Sequence, residues 1–369
     1  MRHNINMKNL LSKKNLILFI PIIIIMVISF FTMYNSKFIS ISYSNHLIKQ
    51  IIWYILFFLI IIFNNKIKFL FKYSHFIYIL NIILLILVLI FGNSVNGAKA
   101  WFNFGFISFQ PSELMKLSYS LFLTKLIINY KHKNIKSDFI FLIKILFIFL
   151  IPSILIFLEP DTGAIIFLLI ITLYMLLLSN IKKIWHILIF LFPIILLLVF
   201  LYLYFFKQDL LIDLIGTSFF YRMDRIINFN SIDNIQLQNS LIAIGNANFF
   251  GVGLGNTAIY IPEIATDFAF SLTVSSFGFI ASLILIICYF IIDLYFLNIC
   301  FSFKNKTTRL FTSGFIGVFI FSQLYNILMN IGLLPIMGIP LPLLSYGGSS
   351  LIVIALYISI ILKIDFNNI

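Results

Sequence analysis

Residues 332–350 read GLLPIMGIPLPLLSYGGSS, and the reading of this stretch decides what kind of fold surrounds it. It joins two long apolar runs, yet it carries three prolines (Pro335, Pro340, Pro342) and four glycines (Gly332, Gly338, Gly347, Gly348). A regular helix does not pass through such a segment, because proline removes a backbone donor and its ring collides with the preceding turn. Backbone without internal partners does not face lipid either. The segment is therefore expected to be broken or re-entrant, buried in protein or lining a polar cavity. The plain alternative is a kinked helix hairpin that only packs.

Working outward, the flanks set the class. Of 369 residues, 62% are hydrophobic and 10% charged, with mean hydropathy +1.11, more apolar surface than a soluble fold uses. A helix needs about 20 apolar residues to cross the hydrocarbon. About ten such spans are expected, near residues 16–33, 47–63, 75–91, 112–129, 139–157, 162–179, 185–206, 270–293, 311–330 and 346–363. The first follows a basic N-terminus but no small-residue cleavage site follows it, so it reads as a retained span. The expected fold is an all-α polytopic membrane protein, one integral-membrane domain over residues 1–369. Most loops are short, which makes neighbouring helices antiparallel.

A net charge of +13 raises the question of nucleic acid, and the positions of the charges answer it. With both termini cytoplasmic, sixteen of the 25 basic residues fall on inner segments: Arg2, Lys8, Lys13 and Lys14; Lys66, Lys68 and Lys72; Lys131, Lys133 and Lys136; Lys182 and Lys183; Lys304, Lys306 and Arg309; Lys363. That alternation is the positive-inside pattern, so the basic charge orients the chain and faces anionic membrane lipid; no nucleic acid is implied. Nine of the twelve acids fall on or near the outer side, with Asp138, Asp293 and Asp365 the exceptions. Cys288 and Cys300 lie in or just inside a span and imply neither a disulfide framework nor a thiolate metal site.

One loop is exceptional. Residues 207–269 lie between the seventh and eighth expected spans, on the outer side, and combine charged residues with apolar pieces at Leu211–Ile215 and Ser240–Ile244. Loops of this length in compact domains are usually functional or disordered, and the apolar content argues for a folded segment on the membrane surface.

Five stretches carry side chains suited to chemistry. In Tyr260–Phe270, YIPEIATDFAF, Asp267 precedes an apolar run and should sit at a span's mouth. Apolar surroundings raise a carboxyl's pKa, which suits a general base; Thr266 or Asp267 as helix cap is the structural alternative. In Phe109–Lys116, FQPSELMK, Pro111 and Ser112 announce a helix start, and Glu113 and Lys116 share one helix face. They either pair with each other or line a groove. Gly97–Trp101, GAKAW, offers Lys99 as a point charge and Trp101 as a groove or interfacial residue. In Glu159–Ala164, EPDTGA, Asp161 is placed to cap the sixth span. Tyr221–Arg225, YRMDR, supplies Arg222 and Arg225, which either grip a diphosphate or pair with Asp224 or Asp233. Further on, QLQNSLIAIG (Gln236–Gly245) precedes GVGLG, whose Gly251, Gly253 and Gly255 read as backbone bends rather than a phosphate loop.

Taken in order, these stretches resemble the shape, elongation, division and sporulation (SEDS) family, the RodA/FtsW-type cell-wall glycosyltransferases. The 332–350 segment resembles the family's C-terminal signature, FQPSELMK its Gln-Pro-Ser-Glu-x-x-Lys motif, EPDTGA its Gln-Pro-Asp-x-Gly, and QLQNSLIAIG its Gln-x-x-Gln-Ser-x-x-Ala-x-Gly, with Asn239 replacing the second Gln. The resemblance implies polymerisation of lipid II into peptidoglycan strands: an acceptor sugar hydroxyl attacks the anomeric carbon of a donor held on undecaprenyl diphosphate. It implies Asp267 as the essential carboxylate, and Glu113, Lys116, Lys99, Trp101, Arg222, Arg225, Gln236, Ser345, Gly347 and Gly348 about the substrate. It also implies a class B penicillin-binding transpeptidase as partner and a bacterial cytoplasmic membrane location. One carboxylate suffices where a glycosidase needs two, because diphosphate leaves without a proton and needs cationic stabilisation. The residues establish no cofactor; a divalent cation, Mg²⁺ or Mn²⁺, is compatible with the chemistry, and no residue set fixes its ligands. Two departures stand out: Ala100 where the family has Arg before the Trp, and Ser275 and Ser276 where it commonly has two glutamates. They motivate one rival, a non-catalytic scaffold of a cell-wall synthase; a lipid II flippase is the other, for which midplane charge pairs and inverted repeats would be expected and are not clearly read, while the acids cluster outside.

Overall fold

The computed structural model describes residues 13–364 apart from 65–66, 96–97, 106, 218–219, 221–223, 225–226, 228–234, 257–258 and 304. The helices are α1 (Lys13–Ser36), α2 (His46–Phe63), α3 (Ile67–Lys72), α4 (Ser74–Phe91), α5 (Pro111–Asn129), α6 (Ile135–Leu158), α7 (Thr162–Leu177), α8 (Lys183–Phe206), α9 (Gln208–Ile215), α10 (Ile235–Gly245), α11 (Ala269–Ser302), α12 (Lys306–Asn330) and α13 (Gly348–Ile364). Between α4 and α5 three short strands, β1 (Asn93–Val95), β2 (Ala98–Phe104) and β3 (Ile107–Phe109), form an antiparallel sheet that pairs Asn93 with Trp101 and Phe102 with Phe109. The sheet is an addition to an otherwise helical chain, and the aromatic content of Ala98–Phe104 favours it.

Each of the ten expected spans falls on one of these helices. Among the described residues seven helices are long and apolar enough to cross a membrane. Thr162–Leu177 and Gly348–Lys363 are apolar but shorter. The tenth, α5, is polar for a membrane helix because its polar groups face protein: Ser112, Glu113, Lys116, Ser118, Ser120 and Thr124 are all buried.

Two lobes share the bundle. One packs α1, α2, α11 and α13 around Ile22, Phe57, Ile292 and Phe296; the other packs α4 to α7 around Leu85, Tyr119, Ile156 and Leu168. Helices α5 and α12 join them. Small residues on α12 permit the approach: a Cβ at Gly317 would stand 2.8 Å from the Tyr174 ring, and one at Gly314 3.1 Å from Met175 Sδ, both on α7. Helix α8 stands apart, with Tyr204 its single buried residue among those described.

The long helix α11 is broken. Gly278 has φ 76° and ψ −170°, outside helical space. The backbone groups freed there are paired by a crossing arm: the carbonyls of Ser275 and Ser276 accept from the amides of Val252 (2.9 Å) and Gly253 (3.1 Å), and the amides of Phe279 and Ile280 donate to the carbonyls of Asn248 (3.1 Å) and Phe249 (3.3 Å). A broken membrane helix persists only with such re-pairing. Gly251, Gly253 and Gly255 in this arm all have positive φ, as expected of bends. Thus Ser275 and Ser276 sit in a backbone crossing; Ser276 Oγ also accepts from Asn35 Nδ2 of α1 at 2.6 Å.

Candidate functional site

The proline-rich segment is non-helical from Ile331 to Gly347, and residues 339 and 341–345 within it are buried. Its proline-rich backbone cannot pair with itself, so side chains of the surrounding helices serve it. Tyr325 donates to Pro335 O (2.9 Å), Asn326 to Ile339 O (2.7 Å), Tyr289 to Pro342 O (2.5 Å), Tyr54 to Leu343 O (3.0 Å), Ser29 to Leu344 O (2.6 Å) and Gln50 to Ser345 O (3.3 Å). Six carbonyls of an irregular segment are thereby satisfied from four helices, α1, α2, α11 and α12.

This cradle holds Asp267. Tyr346 N donates to Ala265 O at 2.8 Å, and Ser345 Oγ donates to Thr266 O at 2.6 Å while accepting from Leu341 N at 2.9 Å. Asn326 and Asn330, one turn apart on α12, both donate to the carbonyl of Asp267, at 2.8 and 3.0 Å. The capping alternative is not what is seen: α11 starts after Phe268 without a side-chain cap, and Thr266 Oγ1 donates instead to Glu263 Oε2 at 2.9 Å. The Asp267 backbone is fixed while its half-buried carboxylate makes no hydrogen bond among the described residues. A Cβ at Gly338 would stand 3.7 Å from Asp267 Oδ2, so glycine there keeps the loop beside the carboxylate uncluttered. Burial, with added repulsion from Glu263 and Asp161, pushes the Asp267 carboxyl up to about 7.

A second carboxylate braces the same region. Asp161 caps α7, accepting from Ala164 N at 3.1 Å, and its other oxygen accepts from Gln110 Nε2 (2.9 Å) and Ser112 Oγ (3.1 Å) at the start of α5. The capping role expected of it is present, and it also ties two helix starts together. Gly163 follows, where a Cβ would stand 3.3 Å from Met337 O, so the start of α7 abuts the loop beside Asp267.

Glu159 is fully buried and neither carboxyl oxygen has a partner among the described residues. Burial, then repulsion from Asp161, raises it to about 9, so it carries a proton at neutral pH. A protonated glutamate is close in shape to the glutamine of the resembled motif. Glu159→Gln is expected to stabilise the protein. Below pH about 4 the folded and unfolded chains both protonate Glu159 and the gain is absent; between the unfolded value of 4.5 and about 9 it grows with pH, reaching about 3 kcal/mol near pH 7. Thermal unfolding of both proteins at pH 4 and pH 7 checks this, and equal melting temperatures at pH 7 would refute it.

Glu113 and Lys116 pair with each other at 2.7 Å, with the ammonium 4.4 Å from the Phe167 ring centroid. Both also line a cavity of about 50 Å³ shared with Pro340, Pro342 and Tyr357, so pair and lining coexist. The remaining sequence candidates are scattered. Lys99 donates to Ile90 O at the C-terminus of α4 (2.9 Å). Trp101 lies half-buried in β2, and Gln236 half-buried on α10. Ser345 is a backbone brace. Gly347 and Gly348 are close-approach positions: a Cβ at Gly348 would stand 2.2 Å from the Trp53 ring and one at Gly347 2.7 Å from Ser350 Oγ. Arg222 and Arg225 lie outside the described residues. Among the described residues no three His, Cys, Asp or Glu converge to hold a metal ion. Sequence reading missed Asn326 and Asn330; two asparagines four apart in an apolar span were the available signal.

The fold and site define a polytopic helical membrane protein with an acidic centre where a broken loop meets a helix start. A family model described as a cell cycle protein, that of FtsW, RodA and SpoVE, matches residues 10–368. The chain belongs to the FtsW/RodA/SpoVE family. It is 35% identical over 336 residues to a protein of Buchnera aphidicola subsp. Schizaphis graminum, covering 86% of this chain and 90% of that one. It is 36% identical over 312 residues to one of Wigglesworthia glossinidia brevipalpis, covering 80% and 76%. Both carry the name probable peptidoglycan glycosyltransferase FtsW. The fold is also that of a chain from a peptidoglycan synthase complex in which polymerization and crosslinking are coordinated, with TM-score 0.74, 23% identity and 94% and 96% of the two chains covered. Rod shape determining protein RodA of Thermus thermophilus matches with TM-score 0.63 and 22% identity over 93% and 95%.

Proposed function

We propose that this chain is a peptidoglycan glycosyltransferase that polymerises lipid II at the outer face of the bacterial cytoplasmic membrane, with Asp267 as general base. The activity class follows the relatives of matching length named as such glycosyltransferases. The observation that carries the mechanism is the Asp267 carboxylate: held by its backbone, free of hydrogen bonds among the described residues, and pushed up to about 7. A base is most effective when its pKa lies near the working pH. Asp267 takes the proton of the acceptor hydroxyl as oxygen attacks the donor's anomeric carbon, and the diphosphate departs unprotonated. Lys116 and the two arginines of the long loop are the cations assigned to the developing diphosphate charge. The lysine-rich ends of the helices face the cytoplasm, with both termini there, which puts Asp267 outside. A class B penicillin-binding transpeptidase is the partner, by analogy with the synthase complex of the same fold.

The test is polymerisation of fluorescent lipid II by the purified chain, alone and with its transpeptidase, across a pH series. Because the ionised form is the base, the rate should rise about tenfold per unit up to pH about 7 and level above it. A flat profile over that range removes Asp267 from the role. Lipid crossing a vesicle without polymer would favour the flippase, and neither outcome with any partner the scaffold.

A further inference from the structure

At the end of the bundle opposite Asp267, two loops are pinned together by one buried acid. Asp138, in the first turn of α6, accepts at Oδ1 from the Tyr130 hydroxyl and contacts His132 Nδ1 at 2.8 Å; its Oδ2 accepts from Lys182 N at 3.0 Å. The α5–α6 loop and the α7–α8 turn are thereby joined. A capping box of Asn134 and Ser137 stiffens the first, with Ser137 N to Asn134 Oδ1 at 2.7 Å. Lys131, Lys133, Lys136, Lys182 and Lys183 flank the clamp, all exposed. Asp138 is the one acid in these two connections, and it is engaged by its three donors. Five lysines are therefore held against the membrane boundary with no ion-pair partner among the described residues. Beside them Trp185 stacks on Phe139, centroids 5.7 Å apart, and its buried indole N–H has no acceptor among the described residues.

Uncompensated like charges on stiffened, adjoining loops, beside the exposed apolar faces of α6 and α8, call for an anionic ligand with acyl chains. We propose that this clamped patch binds the headgroup of an anionic phospholipid, its phosphate among the lysines and its chains along the exposed apolar face of α6 and α8. Neither sequence charge alone nor the orientation rule picks out this pair of loops; the Asp138 clamp does. The placement rests on the orientation proposed above, and the test below reads lipid binding rather than polymerisation, so the two fail separately.

The full-length protein in neutral detergent is titrated with phosphatidylglycerol, phosphatidylcholine or inorganic phosphate, following retained lipid by native mass spectrometry and melting temperature. The wild type should retain phosphatidylglycerol saturably and melt higher with it, but respond to neither phosphatidylcholine nor phosphate. Lys182→Gln with Lys183→Gln should weaken retention roughly thirtyfold, from about 1 kcal/mol for each lysine near an anionic surface. The corresponding pair of Arg substitutions should restore it, which separates charge from folding. Equal retention by the Gln pair, an equal response to phosphatidylcholine, or a response to phosphate alone would overturn the proposal, as would displacement of the lipid by an acidic peptide at equal charge concentration.

Discussion

Asp267→Asn is expected to abolish detectable glycan polymerisation while leaving the protein folded. The substitution preserves shape and removes the capacity to take a proton. It spares what holds the residue in place, because Asn326 and Asn330 grip the Asp267 carbonyl and the carboxylate contributes no hydrogen bond among the described residues. A general base contributes typically ~10²–10⁴-fold, which takes a slow polymerase below detection. The melting temperature should not fall, since a half-buried carboxyl raised to about 7 is costly to ionise and an amide avoids that cost. Lipid II turnover, gel-resolved product and thermal unfolding of wild type and variant decide the matter. Polymer from the variant at more than a tenth of the wild-type rate would show that proton transfer is made elsewhere. A variant that is inactive because it has unfolded would instead implicate the loop cradle.

The second large effect concerns stability. Gly278→Ala should destabilise the protein by about 3 kcal/mol or more, from backbone strain of about 1–3 kcal/mol and overpacking of about 1–3 kcal/mol. The conformation at Gly278, φ 76° and ψ −170°, lies in a region essentially confined to glycine. An added Cβ would meet Phe249 O at 2.3 Å and Gly251 N at 2.4 Å, backbone atoms with no rotamer to escape into. They belong to the arm that re-pairs the broken helix, so moving them also exposes the amides and carbonyls of residues 275–280. Gly245→Ala is the matched control, because a Cβ there meets nothing within 4 Å. Denaturation midpoints in detergent should separate the two variants clearly. Equal midpoints would mean that α11 accommodates the methyl without its break.

How far the chain could be read before its fold was seen depends on what each segment needed. Apolar runs of span length need only the bilayer, and those ten runs coincide with helices. The Pro335–Pro342 stretch forbids a helix by covalent geometry, so its irregular course was also legible. Most partners of that irregular backbone were not: Ser29, Gln50, Tyr54 and Tyr289 lie far away in sequence, and only the packed bundle brings them in. The break at Gly278 was hidden for the same reason, since a lone glycine in a span is usually tolerated. Ser275 and Ser276 read as lost chemistry; the structure gives them a backbone crossing to build. For the site, Asp267 and the Glu113–Lys116 pair were visible as charges at or inside span ends. Of the assigned positions, Lys99 in β2 serves a carbonyl at the end of α4, and Gly347 and Gly348 make tight packing contacts, roles that spacing does not distinguish from ligand contacts.

The cradle around residues 335–345 also orders events in time. Ser29 and Leu344 are separated by 315 positions, and Gln50 and Ser345 by 295. Helices α1 and α2 therefore leave the ribosome well before their partners and wait, with these polar side chains idle, until residues 344 and 345 are made. Closing so long a loop comes late in folding. The cradle beside Asp267 forms only after residues 335–345 are made, so a translation product cut short before Pro335 inserts without acquiring it. In such a fragment Ser29, Gln50 and Tyr54 have lost the carbonyls of residues 343–345 that they serve in the folded chain.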